Sequence, residues 1–241
     1  MRPLTRWTAG LVGDRDPAQP LLTLLDGPAR VELSGATTAN WVAKSANLLV
    51  DGLGAPSRVG LLLPLHWQTV VLVLAGVATG AQVVLAADVD GLAGCDAAFT
   101  SVDDAEAALD AGVDDVLAVS LHPLGAPLPA VPPMVLDHAR EVPGHGDHWG
   151  GAAPSGVDVV VAGTPLGDLP SLGLGPGDRL LTDASPADPV AMATLLAALA
   201  EGAALLLVPD PSKVDVEAVA QAERATATAG LVVPGLRRTG T

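Results

Sequence analysis

An internal repeat constrains the fold of this chain more than any other feature of its sequence. The first copy runs from Gly52 to Asp88 and the second from Gly173 to Asp210. In each copy a Gly-Leu-Gly turn and an arginine precede a short apolar segment, an alanine-rich helical segment that ends in Gly-Ala, and a second apolar segment. Two parallel strands need a crossover of a dozen or more residues, which the helical segment supplies. The repeat therefore predicts two βαβ units.

The rest of the chain also alternates between apolar strand-like segments and helical segments. Strands are predicted at residues 58–63, 82–86, 96–100, 113–119 and 157–162, and helices at residues 37–53, 67–79 and 103–111. Ser34, Thr37 or Thr38 can cap the first helix, and Gly80 and Gly202 can end the two repeat helices in the left-handed conformation. The pattern predicts alternating α and β elements with mainly parallel pairing.

A stretch rich in proline and glycine separates the two copies of the repeat. Seven prolines between residues 121 and 155 exclude regular structure over most of that length. The sequence therefore predicts a first α/β lobe at residues 1–120, a connection at 121–155 and a second α/β lobe at 156–241. The expected fold class is three-layer α/β, with two pseudo-repeated βαβ lobes.

Composition and charge exclude several classes of protein. Hydrophobic residues make up 49% of the chain, which excludes intrinsic disorder, and Cys95 has no partner for a disulfide. The formal net charge of −15 repels phosphate backbones and anionic lipids, so we expect neither nucleic acid nor a membrane as a partner.

The uncharged stretch at residues 59–87 is interrupted by Pro64, Gly76 and Gly80, which indicates strand, helix and strand rather than a membrane span. We expect a soluble cytoplasmic protein, whose acidity reflects salt adaptation, a cationic partner or genome composition.

The first copy and the helix before it resemble the opening segment of the adenylate-forming (AMP-binding) enzymes, the superfamily of acyl-CoA synthetases, luciferases and peptide-synthetase adenylation domains. The resemblance rests on the helix segment Asn40-Trp41-Val42-Ala43-Lys44-Ser45-Ala46-Asn47-Leu48-Leu49, the turn Gly54-Ala55-Pro56-Ser57-Arg58-Val59, Pro64 after the strand, and Gly80-Ala81 before the next strand. The second copy and the segment Glu223-Arg224-Ala225-Thr226 resemble the region after the family's phosphate loop. The resemblance extends over about residues 17–233 and covers about the first half of the family's large N-terminal domain.

The resemblance implies a phosphate loop rich in Ser, Thr and Gly and ending in Pro-Lys-Gly, because ATP phosphates need backbone amides, hydroxyls and a cation together. Residues 160–168 stand at the corresponding place, and only Gly163, Thr164 and Gly167 remain as candidate nucleotide-binding residues. The lysine is missing, and Asp168 adds negative charge. The family's later motifs, which hold magnesium and ribose and carry the catalytic lysine, are expected to fall beyond Thr241.

Two further groups of residues allow alternative interpretations. The segment with Asp137, His138, His145, Asp147 and His148 has ligand types suited to a divalent metal, but its glycines and prolines favour a solvated loop, and we predict no metal site. His66 lies at a strand-to-helix turn, where capping or packing is favoured over lining a cleft.

These observations lead to two functional hypotheses. The first is a catalytically silent relative of acyl-CoA synthetases, a binding or regulatory module that needs no cofactor and holds an acyl or nucleotide-like ligand between its lobes. The alternative is an acid-CoA ligase that uses ATP and magnesium through a degenerate site or is completed by another chain. A homodimer or another protein partner is compatible with the first hypothesis. No catalytic residue is assigned in this sequence.

Overall fold

The computed structural model describes residues 16–151 and 159–240. The strands are β1 Pro20–Asp26, β2 Ala29–Ser34, β3 Arg58–Leu62, β4 Gln82–Leu85, β5 Ala97–Thr100, β6 Asp115–Ala118, β7 Leu136–Asp137, β8 Val160–Val161, β9 Thr164–Pro165, β10 Arg179–Thr182, β11 Ala204–Leu207, β12 Ala227–Ala229 and β13 Arg237–Arg238. The α-helices are α1 Gly35–Asn47, α2 Trp67–Thr79, α3 Ala105–Asp110, α4 His138–Glu141, α5 Pro189–Ala200 and α6 Val216–Ala222. The N-terminal part of the predicted strand at 157–162 lies outside the described residues.

Two mainly parallel sheets form the framework of the described chain. Sheet 1 has six strands in the order β13-β12-β10-β11-β1-β2, and sheet 2 has seven in the order β7-β6-β5-β3-β4-β8-β9. The antiparallel pairs are β1 with β2 and β8 with β9, and the other neighbouring strands are parallel. The predicted α/β class with mainly parallel sheets is confirmed.

The two copies of the repeat form equivalent units, one in each sheet. β3, α2 and β4 form the first, in which Arg58 pairs with Gln82, and β10, α5 and β11 form the second, in which Arg179 pairs with Ala204. Gly80 and Gly202 follow the two helices with φ of +81° and +90°, the left-handed conformation predicted for them. The observed bounds of α2 coincide with the predicted helix at residues 67–79.

Alternating side chains along the strands divide the core into layers. In sheet 1, Leu205 and Leu207 face the main core that includes α1, α2 and α5, whereas Leu206 faces the outer side with α6. In sheet 2, Phe99 faces the same main core, whereas Ala98 faces the outer side with α3. Helices α1, α2 and α5 therefore lie between the sheets. Because successive side chains of a strand point to opposite faces of the sheet, alternate residues pack in the main core and in the outer layers.

The sheets do not follow the order of the sequence. The β1–β2 hairpin, which the sequence analysis did not predict, precedes the first repeat copy but joins sheet 1 beside β11. β8 and β9 follow the predicted connection but complete sheet 2 beside β4. Segments on either side of the predicted connection therefore contribute to the same sheet, and the division into lobes at residues 1–120 and 156–241 with a connection at 121–155 stays a prediction.

The Pro-rich stretch is packed onto the first α/β unit. The Trp67 indole Nε1 donates a hydrogen bond to the carbonyl oxygen of Pro123 (2.9 Å), and the rings of Trp41 and Trp67 meet edge to face with centroids 5.2 Å apart. β7 and α4 lie within this stretch, and β7 extends sheet 2 beside β6. The sequence predicted no regular structure over most of this stretch, and residues 136–141 depart from that expectation because they form β7 and α4.

No helix in the described ranges is long and apolar enough to cross a membrane.

A charged cluster joins the hairpin to the second repeat copy. Arg30 of β2 donates to both carboxylate oxygens of Glu223, at 2.6 and 3.1 Å, and Arg179 lies 3.3 Å from the same carboxylate. Arg179 also donates to the Glu223 carbonyl oxygen (2.7 Å) and to the hydroxyl of Thr23 (3.2 Å). The hydrogen bond from Arg30 is the main reason that the pKa of Glu223 is lowered. The cluster holds β1, β2 and β10 against the end of α6.

We expect Glu223→Ala to lower the free energy of unfolding by about 2 kcal/mol, because it leaves two arginines without their shared carboxylate. Urea denaturation at pH 7 measures the change. Glu32→Ala is the matched control: Glu32 accepts from the same Arg30 but the pair is exposed, so we expect a loss below about 0.5 kcal/mol. Equal losses in the two variants would contradict a specific role for Glu223.

Candidate functional site

The candidate site lies at the edge of sheet 2 where its parallel strands end. β8 runs beside β4, and the amide of Ala162, directly after β8, donates to the carbonyl oxygen of Val83 (2.9 Å). The chain then turns back into β9. Ligands of open α/β sheets bind outside the carboxyl ends of the strands. The turn therefore occupies the place at which the sequence predicted a remnant of a phosphate loop.

The turn is short and its surroundings are hydrogen-bonded within the sheet. Val161 pairs with Thr164, so that only Ala162 and Gly163 connect the strands, with φ of +49° and +80°. Two left-handed residues in sequence are typical of a tight hairpin turn. Beyond the turn, the amide of Leu166 donates to the carbonyl oxygen of Val159 (3.0 Å). A phosphate cradle needs several consecutive free amides, which a hairpin of this length does not present.

The three candidate nucleotide-binding residues occupy different local structures. Gly163 lies in the turn, with open space where a Cβ would stand. Thr164 belongs to β9, and Gly167 lies in a short 3-10 turn that ends at Asp168. A nucleotide-binding role for these three residues stays a prediction.

The two long helices that begin at the same ends of the strands have their first amides occupied by the protein's own side chains. His66 caps α2, with its Nδ1 accepting from the amide of Gln68 (3.2 Å). Asp188 caps α5, with its carboxylate accepting from the amides of Val190 (2.9 Å) and Ala191 (3.3 Å). These amides would otherwise attract an anion. The capping role predicted for His66 is confirmed.

Negative charge accumulates where the strands of sheet 1 end. Asp26 ends β1, and Asp210 follows β11. Lys213 lies 3.3 Å from the Asp26 carboxylate and 3.7 Å from that of Asp210, so its charge is already compensated. A hydrogen bond from the Ser212 hydroxyl is the main cause of the lowered pKa of Asp210. Ionised carboxylates at this edge disfavour a triphosphate.

His66 is buried beside Trp67, with the two ring centroids 5.5 Å apart. Burial lowers its pKa to about 4, against the opposing effect of Asp26. Because Nδ1 accepts a hydrogen bond, the proton of the neutral ring is assigned to Nε2. Nε2 and both side-chain amide atoms of Gln68 are buried and have no hydrogen-bond partner in the described part of the protein.

The histidine-rich segment is a packed structure in its first part. His138 is buried with its ring edge-on to Phe99, with centroids 5.7 Å apart, and burial lowers its pKa to about 4. The Asp137 carboxylate accepts from the amides of Leu128 and Ala139 and from the side chain of Arg140. The interpretation of the whole segment as a solvated loop is therefore wrong for Asp137 and His138, because both are needed to pack and cap the start of α4.

The second part of this segment contacts α1 through its backbone. The carbonyl oxygen of His145 accepts from Lys44 (2.7 Å), and that of His148 accepts from Asn47 (3.1 Å). Across residues 16–151 and 159–240, no three His, Cys, Asp or Glu residues are arranged to hold a metal ion.

Asp188, which was not predicted as a functional residue, places a carboxylate at the start of α5. Its signal was present: an aspartate directly before Pro189 marks a helix start, because proline is favoured at the first helical position. This carboxylate stands where a free helix N-terminus would favour a phosphate.

The fold is that of about half of an adenylate-forming enzyme. It matches an acyl-CoA synthetase from Brucella canis over 94% of this chain and 47% of that chain, with a TM-score of 0.75 and 17% identity. It matches a benzoate CoA ligase from Burkholderia xenovorans over 95% of this chain and 52% of that chain, with a TM-score of 0.71 and 17% identity. The chain thus spans about half the length of these solved structures, and the resemblance seen in the sequence is confirmed for the fold.

A sequence relative assigns the family. The chain is 38% identical over 210 residues to a TIGR03089 family protein from Mycobacterium tuberculosis, a match that covers 82% of this chain and 86% of the relative. The chain therefore belongs to the TIGR03089 family. No family model matches it.

Proposed function

We propose that this protein is a catalytically silent relative of acyl-CoA synthetases that acts as a binding or regulatory module. The turn Ala162-Gly163 carries this proposal, because it replaces an extended phosphate-binding loop with a closed hairpin. The self-capped starts of α2 and α5 and the carboxylates of Asp26 and Asp210 support it. An ATP triphosphate would meet few free donors and much negative charge at this edge.

The ligand proposed for this module is an acyl or nucleotide-like molecule held in the cleft between its lobes. One solved structure of the same fold, an anthranilate CoA ligase, is in complex with anthranoyl-AMP; it matches over 95% of this chain and 49% of that chain, with 15% identity and a TM-score of 0.73. By analogy we extend acyl and acyl-nucleotide chemistry to this chain as candidate ligands. A homodimer or another protein partner and a cytoplasmic location stay part of the proposal.

The alternative is an acid-CoA ligase whose missing groups come from elsewhere. In that case Gly163, Thr164 and Gly167 would contact the phosphates of ATP, and magnesium would be required to offset the charge of Asp168 and its neighbours. The open space around Gly163 is the observation that favours this alternative. The two proposals differ in one measurable product, pyrophosphate.

We expect no pyrophosphate release above a no-enzyme control when the protein is incubated with ATP, magnesium and a panel of carboxylic acids that includes benzoate and anthranilate. An active acyl-CoA synthetase in the same assay is the positive control. The same acids and their acyl-AMP esters are titrated by calorimetry to test binding without turnover.

If the native protein releases pyrophosphate above the no-enzyme control and Thr164→Val does not, the silent proposal is contradicted and the ligase alternative is supported. Thr164→Val retains the shape of the β9 side chain and removes only its hydroxyl. Thr79→Val at the end of α2 is the control for a general effect of removing a hydroxyl.

A further inference from the structure

The segment at residues 135–142, here called the edge segment, closes one side of sheet 2. It contains β7 and α4. β7 has two residues, is the last strand of sheet 2 and pairs only with β6 in the described structure, Leu136 with Leu117 and Asp137 with Ala118. Short elements at a sheet edge, with few backbone hydrogen bonds to the rest of the fold, are the parts of a protein that open by local unfolding.

The edge segment lies between two exposed turns. Before it, the amide of Val135 donates to the carbonyl oxygen of Pro132 (3.2 Å), and Met134 in this turn is 87% exposed with φ of +67°. After it, Pro143 and Gly144 are exposed, and a Cβ at Gly144 would meet no atom within 4 Å. The chain on both sides of the edge segment can therefore change conformation with little loss of packing.

Buried side chains attach the edge segment to the fold. Val135 packs in the outer cluster with α3, Val142 packs in the main core, and Ala139 and His138 are also buried. The ring of His138 meets that of Phe99 in β5 edge to face, and neither of its ring nitrogens has a hydrogen-bond partner in the described part of the chain. Of these side chains, His138 is the one that can acquire a charge.

A protonated His138 would be a buried cation without a free acceptor. Asp137 favours the charged ring, but its carboxylate already accepts from the amides of Leu128 and Ala139 and from the side chain of Arg140. Burial outweighs the effect of Asp137 and lowers the pKa of His138 to about 4. A buried charge that lacks hydrogen bonds is strongly unfavourable, and exposure to water removes this cost.

The strands packed beside the edge segment do not offer His138 a second carboxylate. Phe99 of β5 and Leu117 of β6 are neighbours in the main core and do not titrate. Asp115 lies at the other end of β6 from the residues that pair with β7.

The helices around His138 do not neutralise it either. Glu141 of α4 is exposed, and Lys44 of α1 donates to the carbonyl oxygen of His145 (2.7 Å) in the turn after the edge segment. Within residues 16–151 and 159–240, Asp137 is therefore the charged group that acts on His138.

We propose that the edge segment is an acid-sensitive device: uptake of one proton by His138 releases β7 and α4 from sheet 2 while the rest of the fold remains in place. Release leaves β6 as the last strand of the sheet and exposes its backbone groups and the ring of Phe99. The proposal goes beyond the proposed function and does not depend on it. The turn Ala162-Gly163 follows β8 near the opposite edge of sheet 2, so the pyrophosphate assay does not bear on the edge segment.

Amide hydrogen exchange at pH 7 and pH 5, corrected for the intrinsic exchange rate, tests this opening in the native protein. The amide of Ala139 donates to Asp137 and that of Val142 to the His138 carbonyl oxygen, so both report on the edge segment. We expect their protection to fall by about 20-fold at pH 5, because the open form takes up one proton on a histidine that titrates near 6.5.

The amides of α2 provide the internal reference for global unfolding. Global unfolding takes up a proton on His66 as well as on His138, so we expect the protection of α2 to fall by at least about 400-fold over the same range. The two dependences are measured in one sample of native protein and do not require that a variant folds.

Two variants assign the proton. We expect His138→Leu to reduce the pH effect on the Ala139 and Val142 amides to below about twofold. His66→Asn is the matched control, and its edge segment should retain the 20-fold effect while the dependence of α2 decreases to about 20-fold.

Three results would overturn the proposal. Protection of the edge segment that is the same at pH 7 and pH 5 would exclude an acid response. A dependence equal to that of α2, reduced by His66→Asn, would mean that the segment opens only when the whole protein unfolds. A 20-fold effect that persists in His138→Leu would assign the proton to another group.

Discussion

Acidification from pH 7 to pH 4.5 is expected to destabilise this protein through two buried histidines. The pKa values of His66 and His138 are lowered to about 4, mainly by burial, whereas an unfolded histidine titrates near 6.5. Between these values the unfolded state binds two more protons than the folded state, so the free energy of unfolding falls as the pH falls. Each histidine contributes about 2.5 kcal/mol when the pH has reached 4.5. The combined loss, about 5 kcal/mol, is comparable to the whole stability of many domains.

Urea denaturation at several pH values between 7.5 and 4.5 measures this effect. His66→Asn is a matched variant because asparagine also caps a helix but does not titrate in this range. His138→Leu removes the second titrating group, whose ring nitrogens have no hydrogen-bond partner in the described structure. We expect each variant to lose about half of the pH dependence and the double variant to lose most of it. A double variant with the native pH dependence would assign the effect to other groups.

Trp67→Ala is expected to lower the free energy of unfolding by about 3–5 kcal/mol. The Trp67 side chain is 2% exposed, packs on Trp41 and holds the Pro-rich stretch through its hydrogen bond to Pro123. Removing the indole leaves a cavity between α1, α2 and that stretch, and also leaves the Pro123 carbonyl without its donor. Chemical denaturation followed by circular dichroism measures the change.

Trp67→Phe separates packing from hydrogen bonding. We expect it to cost about 1–2 kcal/mol, because it retains an aromatic ring and loses only the indole nitrogen and part of the volume. Proteolysis between residues 121 and 136 should accelerate more in Trp67→Ala than in Trp67→Phe. A loss below about 1 kcal/mol in Trp67→Ala would mean that the Pro-rich stretch collapses into the vacated space.

The parts of the fold that could be predicted are those with a local signal. α2 carries both a strand-to-helix turn at His66 and a left-handed glycine at Gly80, so its bounds followed from the sequence. The β1–β2 hairpin was not predicted, because its place beside β11 depends on a pairing between residues more than 180 positions apart. The main core shared by both sheets could not be predicted for the same reason. Helix α2 is buried on nearly all sides because sheet 1, formed mostly by distant parts of the chain, covers it.

The candidate site likewise has features that the sequence predicts and features that depend on tertiary contacts. The missing lysine and the presence of Asp168 were visible in the sequence, and they already argued against an ATP-binding loop. The closed turn at Ala162-Gly163 required the pairing of β8 with β4, which local patterns do not specify. His138 was expected in solvent because its neighbours are glycines and prolines, but packing against Phe99 buries it.

By itself, the sequence determined the two βαβ units, the α/β class and the loss of the phosphate-loop residues, because each depends on neighbouring residue types and their spacing. Only the tertiary structure decided that β1 and β2 join the second repeat copy and that Glu223 binds two arginines. These features arise from contacts between residues distant in the chain. Side-chain packing and the pairing of whole strands select such contacts, and local propensity does not encode them.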